Sequence, residues 1–121
     1  NILTGGIDFY IQPPGKKRQQ LTLLSGGERA LTVIALLFSF LDYRPAPFCV
    51  LDEVDAALDE ANVERFSSYL NRVNKETQFI VVSHRKKTME AAEVLQGVTM
   101  VERGVSRLLT VAFEDVKEDL A

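Results

Sequence analysis

Apolar residues form a helical pattern in the first third of the chain and then a continuous run. Between residue 28 and about residue 43 they recur on nearly all sides of a helical projection, which predicts a helix buried on most sides. Pro45 and Pro47 end this helix, because proline cannot continue it. The apolar run at residues 48–51 follows and is typical of a strand covered on both faces.

A second helix and a second strand come next. Asp59 is a good N-cap for a helix that extends to about residue 74, where apolar residues recur at helical spacing. Another apolar run, at residues 79–82, predicts a further buried strand. Two strands joined by a helix form a right-handed crossover, so we expect them to be parallel, with their carboxyl ends at one edge of a sheet.

Polar side chains follow both of these strands. Asp52 and Glu53 come directly after the first strand, and Ser83 and His84 follow the second. Open parallel sheets bind ligands at the edge formed by the carboxyl ends of their strands. We therefore expect the two pairs of residues to face the same crevice.

The remaining elements are shorter. Residues 7–11 predict a strand, which a turn at residues 13–15 ends. Residues 87–95 predict a third helix. A hairpin is predicted for residues 98–102 and 106–113, with its turn at Arg103 and Gly104. The acidic tail from Glu114 is expected to fray. The order of elements predicts an α/β fold with parallel strands, flanking helices and a terminal β-hairpin.

Composition and charge narrow the class of protein. The 121 residues, 46% of them hydrophobic, are enough for one compact domain over residues 1–121, and they exclude a disordered or collagen-like chain. The net charge of -3 argues against an autonomous nucleic-acid binder, because such a protein needs a concentrated basic face. Any contact with DNA is expected to be local or to lie elsewhere.

The sequence predicts a cytoplasmic chain that lies outside the membrane. Its single cysteine, Cys49, allows no internal disulfide and suits a reducing compartment. The longest apolar stretch, residues 30–41, is too short to span a bilayer, and the first residues lack the basic end and apolar core of a signal peptide. Because the sequence begins at Asn1 and not at methionine, we expect a piece of a longer protein.

Residues 24–28, with the sequence Leu-Ser-Gly-Gly-Glu, stand at the start of the first helix. Unpaired N–H groups and the helix dipole favour an anion there, and the two glycines let backbone approach a phosphate. Ser25 and Glu28 also have the spacing of a capping box, which would satisfy the same N–H groups locally. From these residues alone, both interpretations stay open.

The residues after the two strands have similar pairs of interpretations. A carboxylate at a strand end, such as Asp52, suits Mg²⁺, and a second one, such as Glu53, can reach a water poised for attack on a phosphate. An acidic pair at this place is alternatively a solvated turn, and Asp59 is better explained as a helix cap. His84, the single histidine, could bond a terminal phosphate or simply be exposed to water.

Two groups of cations accompany these residues. Residues 16–18 (Lys-Lys-Arg) are a small basic group for which a solvated loop is the simpler interpretation and a phosphate contact the alternative. Arg85, Lys86 and Lys87 stand at the predicted start of a helix, where positive charge opposes the dipole. That conflict suggests an anionic neighbour.

Together these motifs resemble the ATPase heads of the ATP-binding-cassette (ABC) superfamily. Residues 24–28 resemble the signature motif, 48–53 (Phe-Cys-Val-Leu-Asp-Glu) a Walker B strand, 54–59 (Val-Asp-Ala-Ala-Leu-Asp) the D-loop, and Ser83-His84 the switch histidine. Three further segments are similar to bacterial SMC (structural maintenance of chromosomes) proteins. They are Pro13-Pro14-Gly15-Lys16, Leu51 to Asp59, and Ser83-His84-Arg85-Lys86 through Gly97-Val98-Thr99-Met100. Glu28, where a transporter would more often have Gln, favours SMC and repair ATPases. The resemblance implies the C-terminal lobe of an ABC-type (P-loop NTPase) ATPase head.

The resemblance implies a role for each matching residue, with ATP and Mg²⁺ as cofactors. Asp52 would support Mg²⁺, Glu53 would be the catalytic base, and His84 would sense the γ-phosphate. The signature residues Leu24, Ser25, Gly26, Gly27 and Glu28 would bind the γ-phosphate of a nucleotide held by an opposing head, and Asp55 would help join the two heads.

A P-loop is missing from the sequence. Its only Gly-Lys pair, Gly15-Lys16, lacks the preceding glycine and the following Ser or Thr that a P-loop requires. In the SMC family the P-loop lies in the N-terminal half of the head, beyond a long coiled coil that this sequence also lacks. The isolated chain is therefore expected to have little affinity for nucleotide and no ATPase activity.

The family implies several partners. They are the N-terminal lobe of the same head, a second head in a homodimer, DNA through the full-length complex, and the C-terminal winged-helix domain of the kleisin subunit ScpA. We expect the kleisin contact around residues 98–113 and the neighbouring N-terminal strand. Two alternatives to a head of a chromosome-organising ATPase stay open: a chain whose practical role is kleisin docking, and the matching half of a repair ATPase of DNA double-strand breaks.

Overall fold

The structure is a computed structural model that describes residues 3–73 and 76–112. In chain order the elements are β1 (Tyr10–Ile11), β2 (Gln19–Gln20), a 3-10 turn (Leu21–Leu23), α1 (Gly26–Tyr43), β3 (Phe48–Asp52), α2 (Glu60–Arg72), β4 (Gln78–Val82), α3 (Lys86–Glu90), β5 (Val94–Glu102) and β6 (Val105–Ala112). Within these ranges the strands form three pairs, β1 with β2, β3 with β4 and β5 with β6. The predicted mixture of parallel strands, helices and a final hairpin is confirmed.

The central pair, β3 and β4, is parallel. Its register runs from Phe48 opposite Gln78 to Asp52 opposite Val82, so both strands end at the same level. Helix α2 connects them and begins after Asp59, whose carboxylate accepts a hydrogen bond from the N–H of Asn62 at 2.8 Å. The predicted strand–helix–strand unit and its N-cap are therefore confirmed.

The core lies between α1, α2 and one face of the central strand pair. Phe38 of α1 is its centre, with ring centroids 6.2 Å from Phe66, 4.5 Å from Tyr69 and 5.8 Å from Phe79. Val63 of α2 is completely buried beside them. Burial of such aromatic and aliphatic side chains is the main stabilising contribution to a domain of this size.

The other face of the central pair is open, which corrects the expectation of strands covered on both faces. Phe48 and Val50 of β3 and Ile80 and Val82 of β4 are each about half exposed. Phe40, on the far side of α1, is 61% exposed, so α1 buries one stripe and not most of its surface. These positions stay largely open within residues 3–73 and 76–112, and their apolar character suits cover from another unit.

Three peripheral elements differ from their predictions. The strand expected at residues 7–11 is reduced to Tyr10–Ile11, and it pairs with a second strand, Gln19–Gln20, that apolar patterning does not reveal. Helix α3 ends at Glu90 and not near residue 95, because Val94 already pairs with Ala112 in the terminal hairpin. Residue 113, the predicted end of the hairpin, and the acidic tail lie outside the described residues.

Both predicted turns are present. Lys16 N–H donates to the Pro13 carbonyl at 3.0 Å, and Gly15 has a φ of 75°, the conformation required at the third position of a type II turn. Gly104 has a φ of 84° where β5 turns into β6. Among the described helices, none has the length and apolar character needed to cross a membrane.

Candidate functional site

The polar residues after β3 and β4 meet at the carboxyl edge of the central pair. The N–H of Glu53 donates to the Val82 carbonyl at 2.9 Å, which continues the strand pairing by one residue. Oε1 of Glu53 then lies 2.9 Å from Nε2 of His84. Both side chains are open to solvent, at 51% and 85% exposure, so a bound phosphate and a water could reach them.

Glu53 has an unusual backbone conformation. Its φ of 49° lies in the left-handed region, the one such case among the non-glycine residues that the structure describes. A side chain there costs about 1–3 kcal/mol and persists only where neighbours hold it. Two backbone bonds hold this one, since its N–H bonds Val82 and its carbonyl accepts from the N–H of Ala56 at 3.1 Å. The turn directs the carboxylate away from the strand and toward His84.

Asp52 is the last residue of β3 and its side chain is exposed. Its carboxylate has no hydrogen-bond or ion-pair partner among the described residues. The described residues also contain no cluster of three His, Cys, Asp or Glu side chains able to hold a metal. Mg²⁺ is commonly held by one or two carboxylates, with waters and substrate phosphates completing its shell, so a single open carboxylate fits this ion.

Asp55 occupies a different environment from the other acidic residues. It is 1% exposed, and its Oδ2 accepts hydrogen bonds from the hydroxyls of Ser83 at 2.6 Å and Thr88 at 2.5 Å. These two bonds connect the D-loop to the segment that carries His84. The expected role of Asp55 in joining two heads stays a prediction.

Arg85 supplies a second connection between the same two segments. Its guanidinium donates to the Leu58 carbonyl at 3.2 Å and to the carboxylate of Glu60 at 2.8 Å. Glu60 is thus the anionic neighbour expected for these cations, and Lys87 pairs with Glu90 at 3.6 Å. An open cleft of about 410 Å³ lies here, lined by Glu60, His84, Arg85, Lys86 and Lys87.

The signature motif forms the start of α1, with Ser25 as its N-cap. The Ser25 hydroxyl oxygen accepts from the N–H of Glu28 at 3.2 Å and donates to Oε1 of Glu28 at 3.0 Å. The capping interaction is therefore present, although it engages only one N–H group. Within the described part of the chain, no acceptor bonds the N–H groups of Gly26 and Gly27, which leaves two donors for an anion.

Lys16, at the tip of the β1–β2 hairpin, also contacts the signature motif. Its ammonium group lies 3.0 Å from Oε1 of Glu28. The hydrogen bond from Lys16, followed by that from Ser25, lowers the pKa of Glu28 below its ordinary value. Arg18 packs over the Tyr10 ring at 4.8 Å, so the basic group is partly engaged and not simply a solvated loop.

The signature motif packs directly on the D-loop. A Cβ placed on Gly27 would lie 3.1 Å from the carbonyl oxygen of Ala57, whereas one on Gly26 would meet nothing within 4 Å. The backbone of Gly27 therefore passes close to the D-loop, and an added Cβ would fit only if the Ala57 carbonyl shifted by a few tenths of an ångström. Leu24, the first residue of the motif, is buried.

The structure thus brings the predicted residues into two groups joined by the D-loop. Glu53, His84 and Asp52 lie at the strand edge, and Ser25 to Glu28 lie at the start of α1. Thr88 is the residue that sequence reasoning missed. It sits in a predicted helix without any motif, and no pattern marked its hydroxyl as a partner of Asp55.

Comparisons with known proteins show the family of the chain. The family described as "RecF/RecN/SMC N terminal domain" matches residues 16–107. Chromosome partition protein Smc of Bacillus subtilis (strain 168) is 64% identical over 118 residues, which cover 98% of this chain and 10% of that protein. The chain therefore spans about a tenth of the length of this relative.

Two solved structures share the fold. One, from work on ATP-driven dimerization and DNA-stimulated activation of SMC ATPases, has a TM-score of 0.83 and 38% identity, and the match covers 99% of this chain and 74% of that one. The other is an Smc head domain with an extended coiled coil, bound to the C-terminal domain of ScpA, derived from Pyrococcus furiosus. It has a TM-score of 0.84 and 38% identity over 97% of this chain and 29% of that one. The chain belongs to the RecF/RecN/SMC family and is part of the head of an SMC protein.

Proposed function

We propose that residues 1–121 are the C-terminal half of an ATP-hydrolysing SMC head that acts in chromosome condensation and segregation. The observation that carries the proposal is the pairing of Glu53 with His84, 2.9 Å apart at the carboxyl edge of two parallel strands. Ligands bind at this edge in open parallel sheets. The relatives described above are chromosome partition proteins and SMC ATPase heads, which favours this function over double-strand-break repair.

Each polar residue of the strand edge has a part in the proposed reaction. Glu53 accepts a proton from the water whose oxygen attacks the γ-phosphorus of ATP, while ADP departs from the opposite side of that phosphorus. Nε2 of His84 lies 2.9 Å from Oε1 of Glu53, and His84 would donate a hydrogen bond to an oxygen of the transferring phosphoryl group. Asp52 would hold Mg²⁺, which when bound neutralises charge on the phosphates.

The signature motif would act on a nucleotide held by a second copy of the head. Gly26 and Gly27 present two unbonded N–H groups at the positive end of an 18-residue helix, and Ser25 adds a hydroxyl. The related SMC ATPases undergo ATP-driven dimerization, which supports a sandwich of ATP between two heads. Leu24 anchors the motif in the core, Glu28 orients Ser25, and the D-loop that contains Asp55 would lie at the contact between heads.

The open face of β3 and β4 would be covered by the N-terminal lobe of the same head. Phe48 is 60% exposed there and Val50 56%, and parallel strands are stable in proteins when both faces are covered. The lobe would also supply the P-loop that this sequence lacks. The chain by itself is therefore expected neither to bind nor to hydrolyse ATP. DNA would be bound by the full-length complex in the cytoplasm, at the nucleoid.

A second role, kleisin docking, is favoured by the terminal hairpin. Its apolar side chains are exposed on both faces, including Val98 at 70%, Val101 at 63% and Leu108 at 67%. Exposed apolar patches of this kind mark protein contacts. Since the related Pyrococcus furiosus head is bound to the C-terminal domain of ScpA, we propose that the hairpin contacts the equivalent domain. Leu108→Glu should abolish ScpA binding while ATPase activity is kept, and unchanged binding would exclude this placement.

The test of the main proposal is ATP hydrolysis by the full-length protein carrying Glu53→Gln. Loss of the proton acceptor should lower kcat by about 10²–10⁴-fold. Binding of ATP should be kept, because Gln has the same shape as Glu.

Glu64→Gln is the matched control, since Glu64 is exposed on α2 and lies away from the strand edge. It should hydrolyse ATP like the unchanged protein. Hydrolysis undiminished by Glu53→Gln would remove Glu53 as the base, and a wild-type protein without ATPase activity would remove the proposed function.

A further inference from the structure

We propose that Thr88 and Asp55 are positioning residues that hold His84 against Glu53. The expected changes in kcat rest on the proposed ATP hydrolysis, whereas the expected change in the chemical reactivity of His84 does not. The basis is a chain of hydrogen bonds, Thr88 to Asp55 to Ser83, centred on the buried Asp55, that links α3, the D-loop and the segment that carries the histidine.

Asp55 is the centre of this chain. It is 1% exposed, yet within the described ranges it has no cationic partner, and both of its bonds are to hydroxyls. A buried carboxylate is stable only where its hydrogen bonds are made. Removal of either hydroxyl is therefore expected to displace Asp55 and the D-loop that contains it.

His84 is fixed through its two neighbours in the chain. The Ser83 hydroxyl donates to Asp55 at 2.6 Å and accepts the N–H of Arg85 at 3.0 Å, so one hydroxyl holds the chain on both sides of the histidine. Arg85 is tied in addition to Leu58 and Glu60, which follow Asp55.

The ring of His84 has little else to orient it. Its side chain is 85% exposed, and among the described residues its single hydrogen-bond partner is Glu53. Because an exposed ring follows its backbone, the direction of Nε2 depends on the bonds made by Ser83. Glu53 depends on the same loop, since its carbonyl accepts the N–H of Ala56. Thr88 thus acts on both partners through Asp55.

The experiment uses the full-length protein with Thr88→Val, which keeps the shape and removes the hydroxyl, and Thr88→Ser, which keeps the hydroxyl. Thr77→Val is the matched control, because Thr77 is also buried and its hydroxyl donates to the Ala46 carbonyl at 2.7 Å, at the other end of β4. Thr88→Val should lower kcat for ATP about tenfold, with KM changed by no more than about twofold, as expected when reacting groups are misplaced. Thr88→Ser should restore kcat, and Thr77→Val should leave it unchanged.

A double variant separates positioning from general destabilisation. In a His84→Ala background, Thr88→Val should have no further effect on kcat, because the group that it positions is gone. A tenfold loss that persists without His84, or an equal loss in Thr77→Val, would overturn the proposal.

Chemical reactivity of His84 supplies a readout that needs no ATP hydrolysis. Modification by diethyl pyrocarbonate, mapped by mass spectrometry, should be about threefold faster in Thr88→Val, since the ring is no longer held on Glu53. Thr77→Val should match the unchanged protein. If the full-length protein hydrolyses no ATP, the proposed function fails, and the rate at His84 still decides this inference: equal rates in Thr88→Val and the unchanged protein would refute it.

Discussion

Nε2 of His84 lies 2.9 Å from Oε1 of Glu53, although the two residues are 31 positions apart in the chain. Parallel pairing of Asp52 with Val82 brings the ends of β3 and β4 side by side and so makes this contact possible. Since the contact is open to solvent, it can act on a bound ligand.

His84→Ala is expected to lower kcat for ATP hydrolysis by about 10²-fold, the effect of losing a donor aimed at a developing negative charge. Stability should change little, because the ring is exposed and has one partner among the described residues. Steady-state kinetics and thermal unfolding of the full-length protein measure the two effects. The combination with Glu53→Gln should be less than additive, and full additivity would show that the two residues act independently.

The two signature glycines should respond differently to alanine. Gly26→Ala gains helix propensity and meets no atom, so the head should be as stable or slightly more stable. Gly27→Ala should lose this gain and destabilise the head by about 1 kcal/mol, because its Cβ would lie 3.1 Å from the Ala57 carbonyl oxygen. Thermal unfolding of both variants measures the difference. Equal stability of the two would show that the D-loop shifts freely.

The contribution of Glu28 to stability should depend on pH. The hydrogen bonds from Lys16 and Ser25 lower the pKa of Glu28 in the folded state. Its contribution is therefore complete above the ordinary carboxyl pKa of 4.5 and is lost as the pH falls through the lower folded value. Glu28→Gln should lower the unfolding temperature at pH 7, and the difference from the unchanged protein should shrink toward the lowest pH at which both remain folded. A difference that stays constant with pH would contradict the ionic origin.

Phe38→Ala should lower the free energy of unfolding of the head by about 3–5 kcal/mol, because the ring is 3% exposed and contacts three other aromatic rings. Tyr43→Ala is the control from the same helix, since Tyr43 is 89% exposed and should change stability by less than about 0.5 kcal/mol. Denaturant unfolding followed by circular dichroism compares them. A similar loss in both variants would place the core elsewhere.

Much of the fold could be predicted because its signals are local. Asp59 caps α2 with its own side chain, and the apolar run before Asp52 forms strand β3, which pairs with β4. The errors at β2 and at the end of α3 have one cause, because long-range strand pairing there overrode the local pattern. Val94 has a helical neighbourhood but pairs with Ala112, and Gln19 carries no apolar signal yet pairs with Ile11. Pairing energy depends on residues far away in the sequence, which propensity does not include.

The sequence by itself determined which chemical groups follow each strand of the central pair and that Asp59 caps α2, since these depend on neighbours a few positions away. Only the tertiary structure decided that Glu53 and His84 share a hydrogen bond, that Gly27 must pass close to Ala57, and that Asp55 is buried between two hydroxyls. The physical reason is that a side chain's burial and partners are set by packing between segments about 30 residues apart in the chain. The sequence of a motif does not show whether a carboxylate faces solvent, as that of Asp52 does, or the interior, as that of Asp55 does.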